Sequence, residues 1–376
     1  MTRRNFLKII GGSTLTLAAG GYIWAAPKAS SARHPWRMAG QYPDPIRHAL
    51  SYAILAPNPH NRQPWLVQLI SDTEAVLYCD KDRHLDITDP FDRQITIGLG
   101  CFLEAFALAS AHNGYDSNID LFPQGAHEHQ LDTRPVAHIR LRKTTAQPTP
   151  LFAYLTERRT DRTPYSSRQP SQDQLDAILK SSGALATVSA DTAHMQDIIQ
   201  ICEAAARVEF LTPYTNEESV SLMRIGRKQI KKNPDGITLE GPAIELLNLT
   251  GSISPAALRD QTSTSFKQGL RMYVKAVQTS TGFVWITTPD NSREQQIEAG
   301  RAYMRANLQA TAQGLSMHPL SQALQEYPEM EEHLGKIHDT LGIQAPHRLQ
   351  MLARIGYGRS KTQSPRWPLQ TRLMDS

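Results

Sequence analysis

The hydrophobic residues include two apolar runs of strand length, residues 75–79 and 283–286, and each run precedes a longer stretch rich in small residues. Short apolar runs with β-branched and aromatic residues are typical of strands. The stretches that follow end at Gly114 and Gly314, and glycine is common just past the end of a helix. The pattern therefore predicts a strand followed by a small-residue helix at both places.

The two helical stretches align with each other without gaps, residues 88–114 on residues 288–314. The identical pairs are Thr88/Thr288, Arg93/Arg293, Ile97/Ile297, Gly100/Gly300, Leu108/Leu308 and Gly114/Gly314. Coincidence between two alanine-rich helices is the alternative, because small residues match easily. The shared arginine and glycines favour an internal duplication, in which two related helices pack closely about a pseudo-twofold axis.

The duplication divides the chain into a first half, residues 40–147, and a second half, residues 148–376. A proline-containing segment, residues 147–150, joins them. Residues 213–268 of the second half have no counterpart in the first half, and we refer to them as the insertion. It is either a cover over a site or a surface elaboration, and the sequence leaves both interpretations open.

Residues 1–32 differ in character from the rest of the chain. The sequence Thr-Arg-Arg-Asn-Phe-Leu-Lys at residues 2–8 is followed by an uncharged stretch, residues 9–27. This segment resembles a twin-arginine export signal, which implies passage of the folded protein through the twin-arginine translocase to the periplasm or another extracytoplasmic space. A retained membrane anchor is the alternative, since residues 9–26 just reach spanning length. We expect cleavage near residues 30–32, because glycines and hydroxyl-bearing residues make the stretch only weakly apolar.

The 376 residues carry 40 Lys+Arg and 36 Asp+Glu. Arg3, Arg4, Lys8 and Lys28 lie in the first 32 positions with no acidic residue, so the remainder is balanced at 36 against 36. A basic surface for nucleic acid is therefore not expected. The 3 cysteines are widely spaced and indicate neither a disulfide framework nor a structural zinc site. An apolar fraction of 40% is typical of a folded protein.

A polar, proline-rich loop, residues 56–65, follows a helix-like run and precedes a strand-like run, residues 66–70. We call it the amide loop, because it contains Asn58, Asn61 and Gln63. Side-chain amides fixed in a turn can both donate to and accept from the edges of a planar heterocycle. The alternative is a plain connecting loop.

Three arginines, Arg158, Arg159 and Arg162, stand within five residues at the start of the second half. Guanidinium groups bind phosphate oxygens through paired hydrogen bonds, so a phosphorylated ligand is one interpretation. A solvated arginine run is the other. Near the C-terminus a strand-like run, residues 349–355, leads into a Gly-Tyr-Gly turn and then to Arg366 in the sequence Pro-Arg-Trp-Pro.

In combination these segments resemble the nitroreductase-like FMN-binding superfamily, in particular its Acg-type branch of tandem, single-chain proteins. The superfamily loop Ser-x-x-Asn-x-Gln-Pro-Trp is matched by residues 58–65, with Asn58 in place of the serine. Its Arg-Arg-Ser-x-Arg signature is matched by residues 158–162, with Thr160 in place of the serine. The Gly-Tyr turn at residues 356–357 and the basic-x-Pro element at residues 366–368 also match. Residues 314–320 resemble the stretch that lies beside the flavin ring.

The resemblance implies an α+β, nitroreductase-like fold whose two tandem halves form an internal pseudo-dimer. It implies FMN as the cofactor, with the following residues as its contacts: Asn58, Asn61, Gln63, Arg158, Arg159, Arg162, His318, Pro319, Leu320 and Arg366. The amide loop occurs only in the first half and the arginine signature only in the second. We therefore expect one composite site and one FMN per chain, in a monomer.

Two functions follow from this resemblance. The first is an exported oxidoreductase whose flavin takes two electrons from a nicotinamide donor, NAD(P)H, and passes them to a small acceptor such as a nitro compound or a quinone. No side-chain nucleophile is then required, and residues 127–129, His-Glu-His, are interpreted as a solvated loop rather than a metal site. The alternative is a non-catalytic protein that sequesters FMN, with the insertion as a lid. A third and more remote alternative is a flavin-free scaffold in which the motifs have degenerated.

Overall fold

The computed structural model describes residues 31–145, 148–359 and 362–374. Except for its last two positions, the predicted export segment lies outside these residues, and so does Gln147 of the predicted linker.

Two antiparallel sheets of four strands organise the described residues, one in each predicted half. The first contains β1 (Trp65–Ser71), β2 (Glu74–Cys79), β3 (Tyr115–Leu121) and β4 (Ala137–Lys143), in the order β1-β2-β4-β3. The later strands are β5 (Ala186–Ser189), β6 (Met223–Ile225), β7 (Ile237–Leu239), β8 (Phe283–Thr288), β9 (Ser316–Pro319) and β10 (Arg348–Gly356). The second sheet has the order β5-β8-β10-β9, while β6 and β7 form a parallel pair. The predicted strands at residues 75–79 and 283–286 are confirmed as parts of β2 and β8.

Helices surround and separate these sheets. They are α1 (His34–Met38), α2 (Pro45–Ala53), α3 (Arg93–His112), α4 (Gln172–Ser182), α5 (Thr192–Leu211), α6 (Pro213–Ser221), α7 (Gly226–Lys232), α8 (Pro242–Leu249), α9 (Pro255–Arg259), α10 (Thr264–Gln278), α11 (Arg293–Ala312) and α12 (Glu331–Thr340). The combination of helices with separate antiparallel sheets is an α+β fold, as the sequence predicts.

The two helices of the repeat, α3 and α11, cross in the centre of the molecule. A Cβ atom built on Gly100 would lie 2.2 Å from the carbonyl oxygen of Ile297, and one built on Gly300 would lie 2.0 Å from the carbonyl oxygen of Ile97. The close approach is therefore reciprocal, and neither position has room for a side chain. Although α3 is long and apolar enough to cross a membrane, most of it is buried in this core.

Arg93 and Arg293 begin α3 and α11, and each reaches into the opposite half. Arg93 donates to the carbonyl oxygens of Leu324 at 2.6 Å and Gln350 at 2.8 Å. Arg293 donates to the carbonyl oxygen of His129 at 2.9 Å, in the loop that the sequence assigned to solvent. The acceptors of Arg93 belong to buried residues, whereas residues 127–129 are exposed. Each arginine thus connects its own helix to a loop or strand of the other half.

The insertion folds as α6 to α9 with β6 and β7, and it ends within α10. It has a small apolar cluster of its own, consisting of Val220, Ile225, Ile253 and Leu258. Its Glu218 accepts hydrogen bonds from the backbone N–H groups of Ile87 and Thr88, both at 2.9 Å. Its Asp235 pairs with Arg83 at 3.1 Å. Glu218 and Asp235 thus both fasten the insertion to the first half.

Candidate functional site

A cavity of about 230 Å³ lies where the two halves and the insertion meet. The first half contributes the amide-loop residues 57–60 and the face of α3 that carries Gln94, Ile97, Gly98 and Cys101. The second half contributes Arg162, Glu209, Tyr273, Tyr303 and several residues between 318 and 325. The insertion contributes Asn216, Ser219, Met223 and Ile237. A concave site with convergent polar groups of this kind suits a small ligand.

The amide loop reaches the cavity through Asn58 and His60. His60, Asn61 and Gln63 have positive φ angles of 45°, 53° and 55°, a conformation that non-glycine residues seldom adopt. Asn58 stabilises this turn, because its Oδ1 accepts a hydrogen bond from the backbone N–H of Gln63 at 2.7 Å and its Nδ2 donates to the carbonyl oxygen of Ala56 at 3.1 Å.

Asn61 and Gln63 bind other segments of the chain rather than lining the cavity. The Asn61 Oδ1 accepts a hydrogen bond from Arg366 at 2.7 Å. The buried Gln63 accepts from the backbone N–H of Trp367 and donates to the carbonyl oxygen of Pro234, both at 2.9 Å. The amide loop therefore joins the C-terminal segment to the insertion. Direct contact of these two amides with a flavin stays a prediction.

Arg366 and Arg159 lie together beside Trp36, outside the cavity lining. The guanidinium carbons of Arg159 and Arg366 are 4.7 Å and 5.5 Å from the centre of the Trp36 ring. Arg366 is buried and donates to the carbonyl oxygens of Ile54, Leu55 and Ala56 at 2.8, 3.0 and 3.0 Å. Burial, together with Arg158 and Arg159, places the pKa of Arg366 well below its ordinary value. The backbone carbonyls that follow α2 thus accept much of the hydrogen bonding of this guanidinium.

Arg158 is buried close to Tyr303 and Cys101 of the cavity wall, but it is not itself one of the lining residues. Its Nη2 donates to the carbonyl oxygen of Leu55 at 3.2 Å, but its Nε and Nη1 are buried without a partner among the described residues. Burial lowers its pKa, and the proximity of Tyr303 and Cys101 partly opposes that shift. A buried cation with two unused donors is costly unless an anion binds it. Arg158 therefore fits a phosphate group.

Arg162 lines the cavity and is an exposed residue, although protein atoms lie around its guanidinium. Its guanidinium forms neither a hydrogen bond nor an ion pair with any residue in the described part of the chain. Burial lowers its pKa, and Tyr273 across the cavity partly opposes the shift. The arrangement leaves a positive charge open to an anionic ligand.

His318 and Pro319 line the cavity, whereas Leu320 packs in the apolar core of the second half. Burial, reinforced by Arg354 and Arg162, places the pKa of His318 well below its ordinary value. The cavity therefore holds neutral imidazole beside the Arg162 cation.

Sequence reasoning missed several cavity residues: Glu209, Tyr273, Tyr303, Gln322 and Gln325. Tyr303 lies one turn after Gly300 on α11, so the repeat could have identified it. Gln322 and Gln325 follow the segment 314–320, which resembles the stretch beside the flavin. Glu209 and Tyr273 reach the site only through the packing of α5 and α10, and no local pattern distinguishes them.

Burial, with Arg162 and Arg62, lowers the pKa of His60 to about 4. The unfolded chain therefore binds a proton here between pH 6.5 and 4 that the native state does not, so stability present above pH 6.5 is lost as the pH falls toward 4. The difference corresponds to roughly 3 kcal/mol. When the free energy of unfolding, measured with urea, is plotted against pH, the parent protein should lose this amount between pH 6.5 and 4 because of His60. We expect the His60→Gln variant to lack that part of the loss. Parallel curves for variant and parent would contradict the assignment.

Residues 249–357 match the model of the nitroreductase family. The chain is 32% identical over 163 residues to "Putative NAD(P)H nitroreductase acg" of Mycobacterium tuberculosis strain H37Rv, which covers 42% of this chain and 44% of that protein. It is 24% identical over 300 residues to "Probable NAD(P)H nitroreductase PigM" of a Serratia species, which covers 74% of this chain and 80% of that protein. The chain thus spans less than half the length of the acg relative.

Solved structures are similar at lower identity. The FMN-dependent nitroreductase NfnB from Mycobacterium smegmatis, in complex with NADPH, is 18% identical over 60% of this chain and 98% of its own, with a TM-score of 0.36. A nitroreductase with bound FMN from Desulfitobacterium hafniense is 11% identical over 61% and 98%, with a TM-score of 0.38. The match of residues 249–357 to the nitroreductase family model and the identities with the acg and PigM relatives show that the chain is similar to the nitroreductase superfamily.

Proposed function

We propose that this chain is an FMN-dependent oxidoreductase of the nitroreductase type, which transfers two electrons to a small acceptor such as a nitro compound or a quinone. One observation carries the proposal. The Arg162 guanidinium opens onto a cavity walled by both halves and has no ion-pair partner among the described residues. Such a site favours an anionic ligand with many hydrogen-bond acceptors, and FMN is a ligand of that class. The nitroreductase family match of residues 249–357 supports the same choice.

The donors around the cavity fit FMN. Arg162 offers a cation in the cavity lining. Arg158, buried close to Tyr303 and Cys101 of that lining, has two guanidinium nitrogens without a partner among the described residues, which suits the phosphate. Each charge-assisted hydrogen bond contributes about 1.5–3 kcal/mol. Asn58, Gln94 and Gln322 add polar groups to the wall for the edges of the ring. When bound, FMN supplies the hydride chemistry between a nicotinamide donor and the acceptor, while these residues hold it and exclude water.

We further propose that the two halves arose by duplication and form an internal pseudo-dimer with a single composite site. The reciprocal approach of Gly100 and Gly300 supports this proposal. Arg93 and Arg293 support it as well, because each donates a hydrogen bond to a backbone carbonyl of the opposite half. The cavity lining combines amide-loop residues of the first half with Arg162 of the second half, which is why we expect one FMN in a monomeric chain.

Export through the twin-arginine translocase to the periplasm completes the proposal. It rests on the sequence Thr-Arg-Arg-Asn-Phe-Leu-Lys at residues 2–8. The pathway moves folded proteins, which is compatible with a cofactor enclosed between two halves before transport.

The test of the proposed site is Arg162→Gln, which removes the charge and keeps a polar side chain. We expect the Kd for FMN to rise roughly 10- to 100-fold, the loss of about 1.5–3 kcal/mol that one charge-assisted hydrogen bond contributes. Quenching of flavin fluorescence on titration measures it. Arg142→Gln is the control, because that side chain is 86% exposed on β4. Equal FMN affinities in the two variants would show that Arg162 does not bind FMN.

A second candidate function, sequestration of FMN, is favoured by the way the insertion is held. Asp235 accepts hydrogen bonds from Trp367 Nε1 at 3.0 Å and Arg224 Nη2 at 2.7 Å, in addition to its pair with Arg83. Burial raises the pKa of Asp235, but the Trp367 hydrogen bond and the two arginines outweigh it, and the pKa is lowered. A lid fastened in this manner limits access to the cavity, which suits storage more than turnover.

Replacing Asp235 with asparagine is expected to loosen the insertion. Breaking a largely buried ion-pair network leaves charges uncompensated, so protease cleavage between residues 213 and 268 and FMN exchange should both accelerate, by roughly tenfold or more. Glu217→Gln is the matched control, since its pair with Arg259 in the same insertion is exposed. If NADPH then bleaches the FMN bound to the variant, whereas only dithionite bleaches the FMN bound to the parent, the closed insertion is what blocks turnover. Unchanged cleavage and exchange would argue against a lid.

A further inference from the structure

We propose that Arg354 fixes His318 as a neutral N–H donor that points into the cavity, where the His318 Nε2–H donates a hydrogen bond to an acceptor atom of the flavin ring. Arg354 is then a positioning residue, and His318 is the group that touches the cofactor. The inference rests on the proposed function, because FMN is the ligand that receives the bond.

The tautomer of His318 follows from one contact. Arg354 Nε lies 3.0 Å from His318 Nδ1 and donates to it. A guanidinium group has donors only, so Nδ1 must present its lone pair to Arg354. In a neutral imidazole the single ring proton is then on Nε2, at the opposite side of the ring.

Arg354 is held rigidly enough to impose this choice. Its Nη1 donates to the carbonyl oxygen of Ala276 at 2.6 Å, and its Nη2 donates to the carbonyl oxygens of Asp161 at 3.2 Å and Thr163 at 2.9 Å. The guanidinium carbon lies 3.9 Å from the centre of the Tyr165 ring. With every nitrogen engaged, Arg354 can neither rotate away from His318 nor release Nδ1 to bind a proton.

The free end of the His318 ring opens onto the cavity. The residue is only 3% exposed and lines the cavity, so its remaining accessible surface faces that space. Its Nε2 forms no hydrogen bond with the described residues, and it is not among the fully enclosed polar atoms that lack a partner. The Tyr273 ring meets the imidazole edge-on at 5.9 Å between centroids and limits its rotation.

Two other titratable residues of the cavity lining, His60 and Glu209, do not match this arrangement. His60 has a buried Nδ1 without any partner, so nothing in its contacts selects a tautomer. Glu209 accepts hydrogen bonds from Gln325 at 3.0 Å and Ser219 at 3.3 Å, and its carboxylate is thereby engaged with the wall. Of these three candidates, His318 alone combines a fixed tautomer with an open donor.

A fixed donor of this kind affects the flavin in a defined direction. The ring gains electron density on reduction, and a hydrogen bond to it becomes stronger in the reduced state. His318 therefore favours reduced FMN. Because the imidazole cannot take a second proton against Arg354, this contribution stays constant across neutral and mildly acidic pH.

The experiment has two readouts on the full chain. The first is 15N NMR of histidine-labelled protein without flavin, in which the His318 signals are identified by their loss in His318→Phe. We expect the pattern of an Nε2–H tautomer that persists as the pH is lowered through 6. An Nδ1–H tautomer, or protonation near pH 6.5, overturns the role of Arg354, whatever the protein does with FMN.

The second readout is the midpoint potential of bound FMN, with exposed His194→Phe as the control. We expect His318→Phe to lower the ratio of reduced to oxidised FMN about tenfold at a fixed potential. For a two-electron couple this corresponds to a midpoint potential about 30 mV more negative. An unchanged potential in a variant that retains FMN overturns the flavin contact. If the parent binds no FMN, the proposed function and the flavin contact both fail, while the NMR result still decides the Arg354–His318 pair.

Discussion

Replacing Gly300 with alanine is expected to destabilise the protein by at least about 3 kcal/mol, because the upper end of overpacking costs applies where backbone blocks the new atom. The added Cβ would lie 2.0 Å from the carbonyl oxygen of Ile97 and 2.9 Å from the backbone nitrogen of Cys101. These are helix backbone atoms, so α3 and α11 would have to separate along the centre of the core. Urea unfolding measures the loss, and the cavity beside α3 should lose flavin affinity with it.

Gly335→Ala is the matched control for that substitution. Gly335 lies inside α12, and a Cβ built on it meets no atom within 4 Å. Alanine has the higher helix propensity, so this variant should gain about 0.5–1 kcal/mol. If Gly300→Ala proved as benign as Gly335→Ala, the tight crossing of the two repeated helices would be incorrect.

Replacing Arg158 with methionine is expected to stabilise the flavin-free protein and to abolish its retention of FMN. The guanidinium is buried with two unused donors, and exchanging an uncompensated buried charge for an apolar side chain of similar length should gain roughly 2 kcal/mol. FMN affinity should fall by roughly 100-fold or more, since two charge-assisted hydrogen bonds are lost. Thermal unfolding without FMN and fluorescence titration with FMN measure the two effects.

Arg366→Met provides the comparison, because Arg366 is equally buried but donates to four backbone carbonyls and to Asn61. Its loss leaves those acceptors unpaired, so this variant should be destabilised by roughly 3 kcal/mol or more. Stability changes of opposite sign in the two variants would distinguish a ligand-binding arginine from a structural one. Destabilisation of the same size in both would mean that Arg158 serves the fold alone.

The sequence predicted the local elements well where a short pattern determines them. The strand at residues 349–355 is confirmed within β10, and the glycines proposed as helix ends, Gly114 and Gly314, have φ angles of 79° and 72° just beyond α3 and α11. Such ends depend on a residue's own backbone freedom and not on distant contacts. The sequence also predicted that the two small-residue helices pack closely, and the structure places their closest approach at Gly100 and Gly300.

The site was less accessible to sequence reasoning. Asn58, Arg162, His318 and Pro319 do line one cavity, but Asn61 and Gln63 have protein partners about 300 and 170 positions away along the chain. Which amide faces a ligand and which fastens a segment depends on tertiary packing, which no local motif records. The same reason explains why Tyr273 was missed, and why Arg354, buried in β10, gave no indication of its contact with His318.

A titration of the flavin-free protein with FMN, followed by visible absorption and by quenching of flavin fluorescence, determines whether the two halves enclose a single flavin. We expect saturation at one FMN per chain, with the spectrum of an enclosed flavin. A protein that remains colourless after incubation with FMN, or one that saturates at two equivalents, would contradict a single composite site between the two halves.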